Sequence, residues 1–261
     1  MKRTGAVAVA AVVFAGLMGA GVPAVASPAQ STFADAVVYS VVHPDASLPG
    51  VNDFSCVSAS EPVVLVHGFL ENSYDNWASL APKLVADGYC VYALDYGAPD
   101  GVPFKGLGSL ADSAAELGTF VEAVREATGA EKVSIVGHSK GGTVPRYYVR
   151  FLGGAESVSK IVAISPPNYP TPGPPADESL TRLNEGSDTV DGVDYTTIVT
   201  RYDQVVPYEA SLLSGAGNTN VVLQDLCPAD TVEHTGISYD PVARQVVTNA
   251  LSGVSPTAVV C

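Results

Sequence analysis

Lys132-Val133-Ser134-Ile135-Val136-Gly137-His138-Ser139-Lys140-Gly141-Gly142 decides the fold. It opens as a short β-branched run, the signature of a strand. It breaks at Gly137, presents Ser139, and passes through Gly141 and Gly142 into a helical pattern. This is G-x-S-x-G in a strand–turn–helix setting, the context that gives the pattern meaning. The turn has to be sharp, so the serine backbone is strained, and Cβ atoms at the flanking positions would strike the neighbouring strand and helix. The serine oxygen is then displayed at the carboxyl end of a central strand, where open α/β sheets build their sites.

Working outward, similar units repeat on both sides. Pro62-Val63-Val64-Leu65-Val66 is an apolar run of buried-strand length and ends in His67-Gly68-Phe69. Asp75 or Asn76 is expected to cap a helix over Trp77–Ala86, closed by Gly88. Tyr89–Leu94 reads as a strand that ends at Asp95. Ser109 caps a long helix with Leu110, Ala114, Leu117, Val121 and Val124 on one stripe, stopped by Gly129. Pro145 should kink or restart the helix after Ser139. Lys160–Ser165, Tyr195–Thr200 and Asn220–Leu223 are further strands. Asp240-Pro241 starts a last helix that runs to about Leu251. An edge strand is expected near Val37–Val42. Strands alternating with helices predict an α/β class, with a mostly parallel central sheet flanked by helices on both faces and right-handed crossovers. Residues 166–188 break the rhythm with Pro166, Pro167, Pro170, Pro172, Pro174 and Pro175, and read as a lid, a pocket wall or a long loop.

The 261 residues begin with Lys2, Arg3, an apolar run from Ala6 to Ala20, and Ala24-Val25-Ala26. That is the pattern of a secretory signal peptide over residues 1–26, leaving 27–261 as a single domain of an extracellular protein. Losing Lys2 and Arg3 takes the net charge from −14 to −16. Such an acidic chain has too few cations to neutralise phosphates, which argues against nucleic acid and anionic membranes as partners. Uncharged substrates and neutral oil–water interfaces remain open to it, and no later stretch is long and apolar enough for a stable membrane span. Four cysteines in an exported chain allow three disulfide pairings, of which the sequence-local Cys56–Cys90 and Cys227–Cys261 is the expected one. Without a C-x-x-C pair, a zinc ribbon or thioredoxin-like site is not expected.

Acyl transfer by a serine needs a base to take its proton and an acid to orient the base. Ser139 is the nucleophile candidate. Chains that carry a serine on such a turn place Asp or Glu next and His last, which selects His234 between the last strand and the last helix. His43 reads as surface, His67 as loop support, and His138 as pointing away from its neighbour Ser139. Asp203, just beyond the strand Tyr195–Thr200, is the acid candidate, with Asp225 and Asp230 as rivals. The backbone N–H groups of Phe69 and Lys140 are the candidate oxyanion donors. Phe69, Leu70, Tyr74, Trp77, Tyr169, Val206 and Ile237 are candidates to line an apolar acyl pocket.

These residues together resemble the secreted bacterial class 2 triacylglycerol lipases of the α/β-hydrolase fold. The resemblance rests on Val64-Leu65-Val66-His67-Gly68-Phe69, on Gly137-His138-Ser139-Lys140-Gly141-Gly142 with Pro145-Arg146-Tyr147-Tyr148, on Leu183-Asn184-Glu185-Gly186-Ser187-Asp188-Thr189, on Thr200-Arg201-Tyr202-Asp203-Gln204-Val205-Val206-Pro207, and on His234-Thr235-Gly236-Ile237. It implies a serine lipase or esterase that uses no metal and no cofactor. It implies Ser139, Asp203 and His234 as the triad, Phe69 and Lys140 as oxyanion donors, and a Cys227–Cys261 bridge beside the histidine loop. Lys140 departs from the uncharged residue relatives often carry, and a side chain at the pocket mouth would shift preference toward charged or polar esters. An acyltransferase using the same acyl-enzyme is the rival reading; a non-catalytic binding protein of the same fold is a third.

Overall fold

The computed structural model describes residues 32–99, 101–171 and 178–261. The proposed signal peptide lies outside the described residues. Six strands form one parallel sheet: β1 (Val63–Val66), β2 (Val91–Leu94), β3 (Val133–His138), β4 (Val158–Ile164), β5 (Asp194–Val199) and β6 (Asn218–Val222). Their order is β2-β1-β3-β4-β5-β6, with every pairing parallel. The helices are α1 (Phe33–Val42), α2 (Ser73–Trp77), α3 (Leu80–Ala86), α4 (Leu110–Thr128), α5 (Lys140–Phe151), α6 (Glu178–Leu183), α7 (Leu223–Leu226) and α8 (Pro241–Ser252).

Two apolar cores follow from the period-2 alternation of the strands. Val63 and Leu65 point to one face, where they meet Leu80 and Leu84 of α3 and Val242, Val246 and Val247 of α8. Val64 and Val66 point to the other, where Leu117, Val121 and Val124 of α4 and Val144 of α5 cover them. Covered on both faces, the central strands are apolar at nearly every position, as a parallel sheet requires. This sheet, with helices on both faces, is the predicted class. Both expected disulfides are present, Cys56–Cys90 and Cys227–Cys261. In the chain-entropy account each stabilises by about 3–4 kcal/mol.

Two local expectations fail for identifiable reasons. Residues 37–42 are not an edge strand but the second half of α1. Thr32 accepts the Asp35 N–H at 3.1 Å, and Ala36 and Ser40 turn inward together. A cap and a four-residue spacing therefore override the β-branched run Val37-Val38 and Val41-Val42. The helix after β1 also begins earlier than expected. Asn72, not Asp75 or Asn76, is its N-cap, and the Asp75 carboxylate reaches back to the Asn72 N–H in a capping box. The predicted single helix is two, α2 and α3, broken around Ala78 and Ser79. Pro145 sits inside α5, which runs continuously through it.

The strand order places a switch point between β1 and β3. The chain leaves β1 for β2 on one side and returns to β3 on the other. Loops leaving the carboxyl ends of these two adjacent strands diverge there, opening a crevice. Those loops carry Phe69 and Ser139.

Candidate active site

Ser139 joins β3 to α5 with φ 51° and ψ −128°. Its N–H donates to Ile164 O at 2.8 Å, pinning the turn to β4. A Cβ at Gly137 would lie 2.0 Å from Gly141 O, and one at Gly141 would lie 2.1 Å from Val66 O. Neither position admits a side chain, because α5 starts directly against the backbone of β1 and β3.

His234 and Asp203 converge on this serine from two other loops. His234 Nε2 lies 3.0 Å from Ser139 Oγ, and His234 Nδ1 lies 2.7 Å from Asp203 Oδ2. The other Asp203 oxygen, Oδ1, accepts the Val205 and Val206 N–H groups at 2.9 and 2.8 Å. Burial pushes the Asp203 carboxyl upward, but the bonds from His234 and Val206 outweigh it and hold the group below the usual carboxylate range. The rivals lie elsewhere: Asp225 pairs with Arg201 at 2.7 Å, and Asp230 caps Val232 N–H at 2.9 Å. Gln224 joins the acid and base loops, accepting the Arg201 N–H at 2.8 Å and donating to Thr200 Oγ1 and Asp230 O. Sequence reading did not single out Gln224, because its partners are distant in the chain.

The loop after β1 lies against the serine. A Cβ on Gly68 would be 3.1 Å from Ser139 Cβ. Leu70 takes φ 61°, a left-handed conformation uncommon outside glycine, and this turns the chain back. The loop is held from behind by residues 105–106: Leu70 N–H donates to Lys105 O and Lys105 N–H to Glu71 O, both at 2.9 Å. The His67 ring stacks on Tyr96 at 4.5 Å and bonds Gly68 O through Nδ1 at 2.8 Å. Burial pushes the His67 ring toward the neutral form despite nearby Asp95 and Glu71. The Lys140 side chain turns into this scaffold, donating to Gly106 O at 2.7 Å and to Gly108 O. The condition under which it would shift ester preference, a side chain at the pocket mouth, is not met; carbonyls clustered at the loop's glycines attract the ammonium.

The candidate pocket residues divide. Phe69 and Leu70 are about half exposed at the crevice. Tyr74, Trp77 and Ile237 are instead buried in the core on the α3–α8 face, and Tyr74 stacks on Tyr39 at 5.2 Å. The structure places these three in the core instead: Tyr74 and Trp77 lie on the inward face of the short helix α2 behind β1, and Ile237 lies on the inward side of the turn Gly236–Tyr239 after His234. Tyr169 donates its hydroxyl to Asp188 at 2.5 Å, and Val206 is buried beside Asp203.

Buried Arg146 ties together both arms of the Pro-rich excursion, donating to Asn168 Oδ1 at 3.1 Å and to Asn184 Oδ1 and Asp188 O at 3.2 Å. This gives the Asn184 side chain of the quoted motif its role, while the Asp188 carboxylate accepts from Tyr169 and Ser214 and lies 4.0 Å from the same guanidinium. Residues 172–177, at the centre of the expected lid or wall, lie outside the described residues.

Asp75 carries a further consequence. Burial, with Glu71 and Asp95 adding their charge, pushes its carboxyl up to about 8, against the opposing Asn72 N–H. An unfolded Asp titrates near ~3.9. The native chain therefore keeps a proton there that the unfolded chain has lost. The associated stability is complete below about pH 4 and disappears as pH rises toward about 8. Asp75→Asn keeps an acceptor for Asn72 N–H and removes this dependence. Its Tm relative to the unsubstituted protein should rise between pH 5 and pH 8 by on the order of 5 °C in thermal melts.

Residues 60–167 match the Lipase (class 2) family. A triacylglycerol lipase of Pseudarthrobacter phenanthrenivorans is 35% identical over 94 residues, 33% of this chain and 27% of that protein. The chain thus spans about a quarter of the length of that curated relative. Aspergillus fumigatus lipase B superposes with TM-score 0.67 at 19% identity, over 78% of this chain and 55% of that one. A monoacylglycerol lipase of Paleococcus ferrophilus gives TM-score 0.58 at 19% identity, over 74% and 96%. The parallel sheet in the order β2-β1-β3-β4-β5-β6 and the strained serine turn after β3 are those of the α/β-hydrolase fold, and within that fold residues 60–167 are similar to the class 2 lipases.

Proposed function

We propose that this protein is an exported serine hydrolase that cleaves apolar carboxylic esters through an acyl-enzyme. The observation that carries the reading is the continuous hydrogen-bond line from Asp203 through His234 to Ser139 Oγ. In the proposed cycle, Ser139 Oγ attacks the ester carbonyl carbon while His234 Nε2 takes the hydroxyl proton. The carbonyl oxygen gains the negative charge, opposite the N–H groups of Phe69 and Lys140. The tetrahedral species collapses, the alcohol leaves with the proton from His234, and the acyl group stays on Oγ. Water then attacks that ester, giving its proton to His234; the acid departs and Oγ recovers the proton. Asp203 stays ionised throughout and stabilises the imidazolium at each half-reaction.

The apolar preference is supported by large exposed side chains on the loops around the serine. Phe69, Leu70 and Val205 are 54%, 49% and 62% exposed, next to the proposed oxyanion donor and the acid. Exposed apolar residues on the loops that carry the proposed oxyanion donor and the acid suit a hydrophobic ligand. Export is supported by the leader pattern and by two disulfides, which persist in oxidising compartments. No helix among the described residues is long and apolar enough to cross a membrane.

Hydrolysis of p-nitrophenyl esters from C2 to C16, repeated on emulsified triacylglycerol, tests the reading. Release of free acid at all lengths, rising with chain length and on the emulsion, is expected. Failure on every ester rejects it. Predominant transfer to an added alcohol assigns the acyl-enzyme to an acyltransferase instead.

A further inference from the structure

A buried ion pair lies behind the two loops that meet at Ser139. Glu71 Oε2 is 3.0 Å from His138 Nδ1, and the two side chains are 7% and 0% exposed. Each partner spends its other bond on the backbone of a different loop. Glu71 Oε2 accepts the Gly68 N–H at 2.7 Å, one residue before Phe69. His138 Nε2 lies 2.8 Å from the backbone carbonyl of His234.

The chemistry of these partners fixes the protons. A carbonyl only accepts, so Nε2 of His138 carries a hydrogen. An ionised carboxylate also only accepts, so Nδ1 carries one as well, and the ring is an imidazolium. Asn76 agrees: Nδ2 is 3.0 Å from His138 Nδ1, while its buried Oδ1 has no partner among the described residues. In the opposite amide orientation Oδ1 accepts from Nδ1–H, and Nδ2 takes the position that Oδ1 vacates. Burial disfavours the charged ring, but the Glu71 charge and hydrogen bond and the His234 carbonyl prevail. For Glu71, burial works upward and His138 with Gly68 N–H outweighs it.

We propose that the Glu71–His138 ion pair is a positioning brace that sets the spacing between the Phe69 oxyanion loop and the His234 base. This rests on the hydrolase reading above. Neither side chain reaches substrate; both act through backbone groups. Gly68 packs closely on this carboxylate: a Cβ there would sit 2.6 Å from Glu71 Oε2. A buried ion pair is a poor source of net stability, because desolvation offsets the attraction. What this one uniquely supplies is a fixed relation between one N–H and one C=O on opposite walls. Oxyanion donors act on charge that develops only in the transition state, so their displacement lowers kcat and spares KM.

Glu71→Gln tests this with the shape conserved. A single atom, Oε2, serves both Gly68 and His138. A glutamine oxygen there accepts from Gly68 but leaves the imidazolium without a counter-charge; a nitrogen there serves a neutral His138 but abandons Gly68. The expected result is a kcat lower by about 10- to 100-fold with KM within about threefold, and Glu71→Ala, where it folds, lower still. Rates are referred to active sites titrated with a fluorophosphonate, so unfolded protein does not count. A per-site kcat for Glu71→Gln equal to the unsubstituted enzyme overturns the brace and leaves the hydrolase reading intact. A loss carried by KM alone also overturns it. Unsubstituted protein that neither labels nor hydrolyses esters overturns both.

Discussion

Ser139→Ala should lower kcat on esters by on the order of 10⁶-fold with the fold unchanged. The turn itself supports both halves of that expectation. Ser139 adopts φ 51° because β3 ends against β4 through its N–H and α5 begins at once. Alanine meets the same backbone strain as serine and removes only Oγ, so the thermal melt should move little. The chemistry has no substitute nucleophile nearby. Ser165 also takes a left-handed φ, 45°, at the end of β4, but it is buried and its Oγ has no hydrogen-bond partner among the described residues. His234 Nε2 is spent on Ser139 alone among the described hydroxyls. A fluorophosphonate should therefore label the unsubstituted protein once and Ser139→Ala not at all, read by intact mass. Labelling of the alanine variant, or more than about 1% of the original kcat, removes Ser139 from the nucleophile's role. Weak residual turnover over water is still expected, since the oxyanion donors and the binding surface survive.

What could be read without coordinates was whatever leaves a local mark. The apolar run of β1 and the largely apolar β2 and β3 announce a sheet buried on both faces. Ser109 and Gly129 bracket α4 because a cap and a left-handed stop are local chemistry. Ser139 and Asp203 follow strand ends and His234 lies between the last strand and the last helix, an order that leaves few alternatives, and the structure brings the three within hydrogen-bond reach. The misreadings come from competition between local signals and packing. Residues 37–42 favour a strand by composition, yet Thr32 starts a helix upstream whose inward face is already set. Trp77 looks like a pocket wall next to Phe69, but the turn at Leu70 sends the chain behind β1, where the ring is fully buried. Glu71 and His138 carry no local mark. They are 67 positions apart, and only the adjacency of β1 and β3 brings them together. His138 could be predicted to avoid Ser139; what it does instead depended on a residue two loops away.

Asp203→Asn should lower kcat by on the order of 10⁴-fold while leaving KM and the fold nearly unchanged. The direction follows from which oxygen is already committed. Oδ1 accepts two backbone N–H groups, from Val205 and Val206. An amide nitrogen at that position would face two donors, so asparagine must keep its oxygen there. Its NH₂ is then forced into the place of Oδ2, 2.7 Å from His234 Nδ1. A donor at that point requires Nδ1 to accept, which moves the single proton of neutral His234 to Nε2. That is the atom that must take the proton from Ser139 Oγ, 3.0 Å away. The variant therefore holds the right ring in the right place with the wrong tautomer, and it also loses the negative charge that stabilises the imidazolium. Substrate binding, which uses neither group, is unaffected. Nitrogen-15 spectra of the histidines should show the His234 proton moving from Nδ1 to Nε2 in step with the loss of kcat. A variant within tenfold of the original enzyme, or an unshifted tautomer, would assign orientation of the base to another group and return Asp225 and Asp230 to contention.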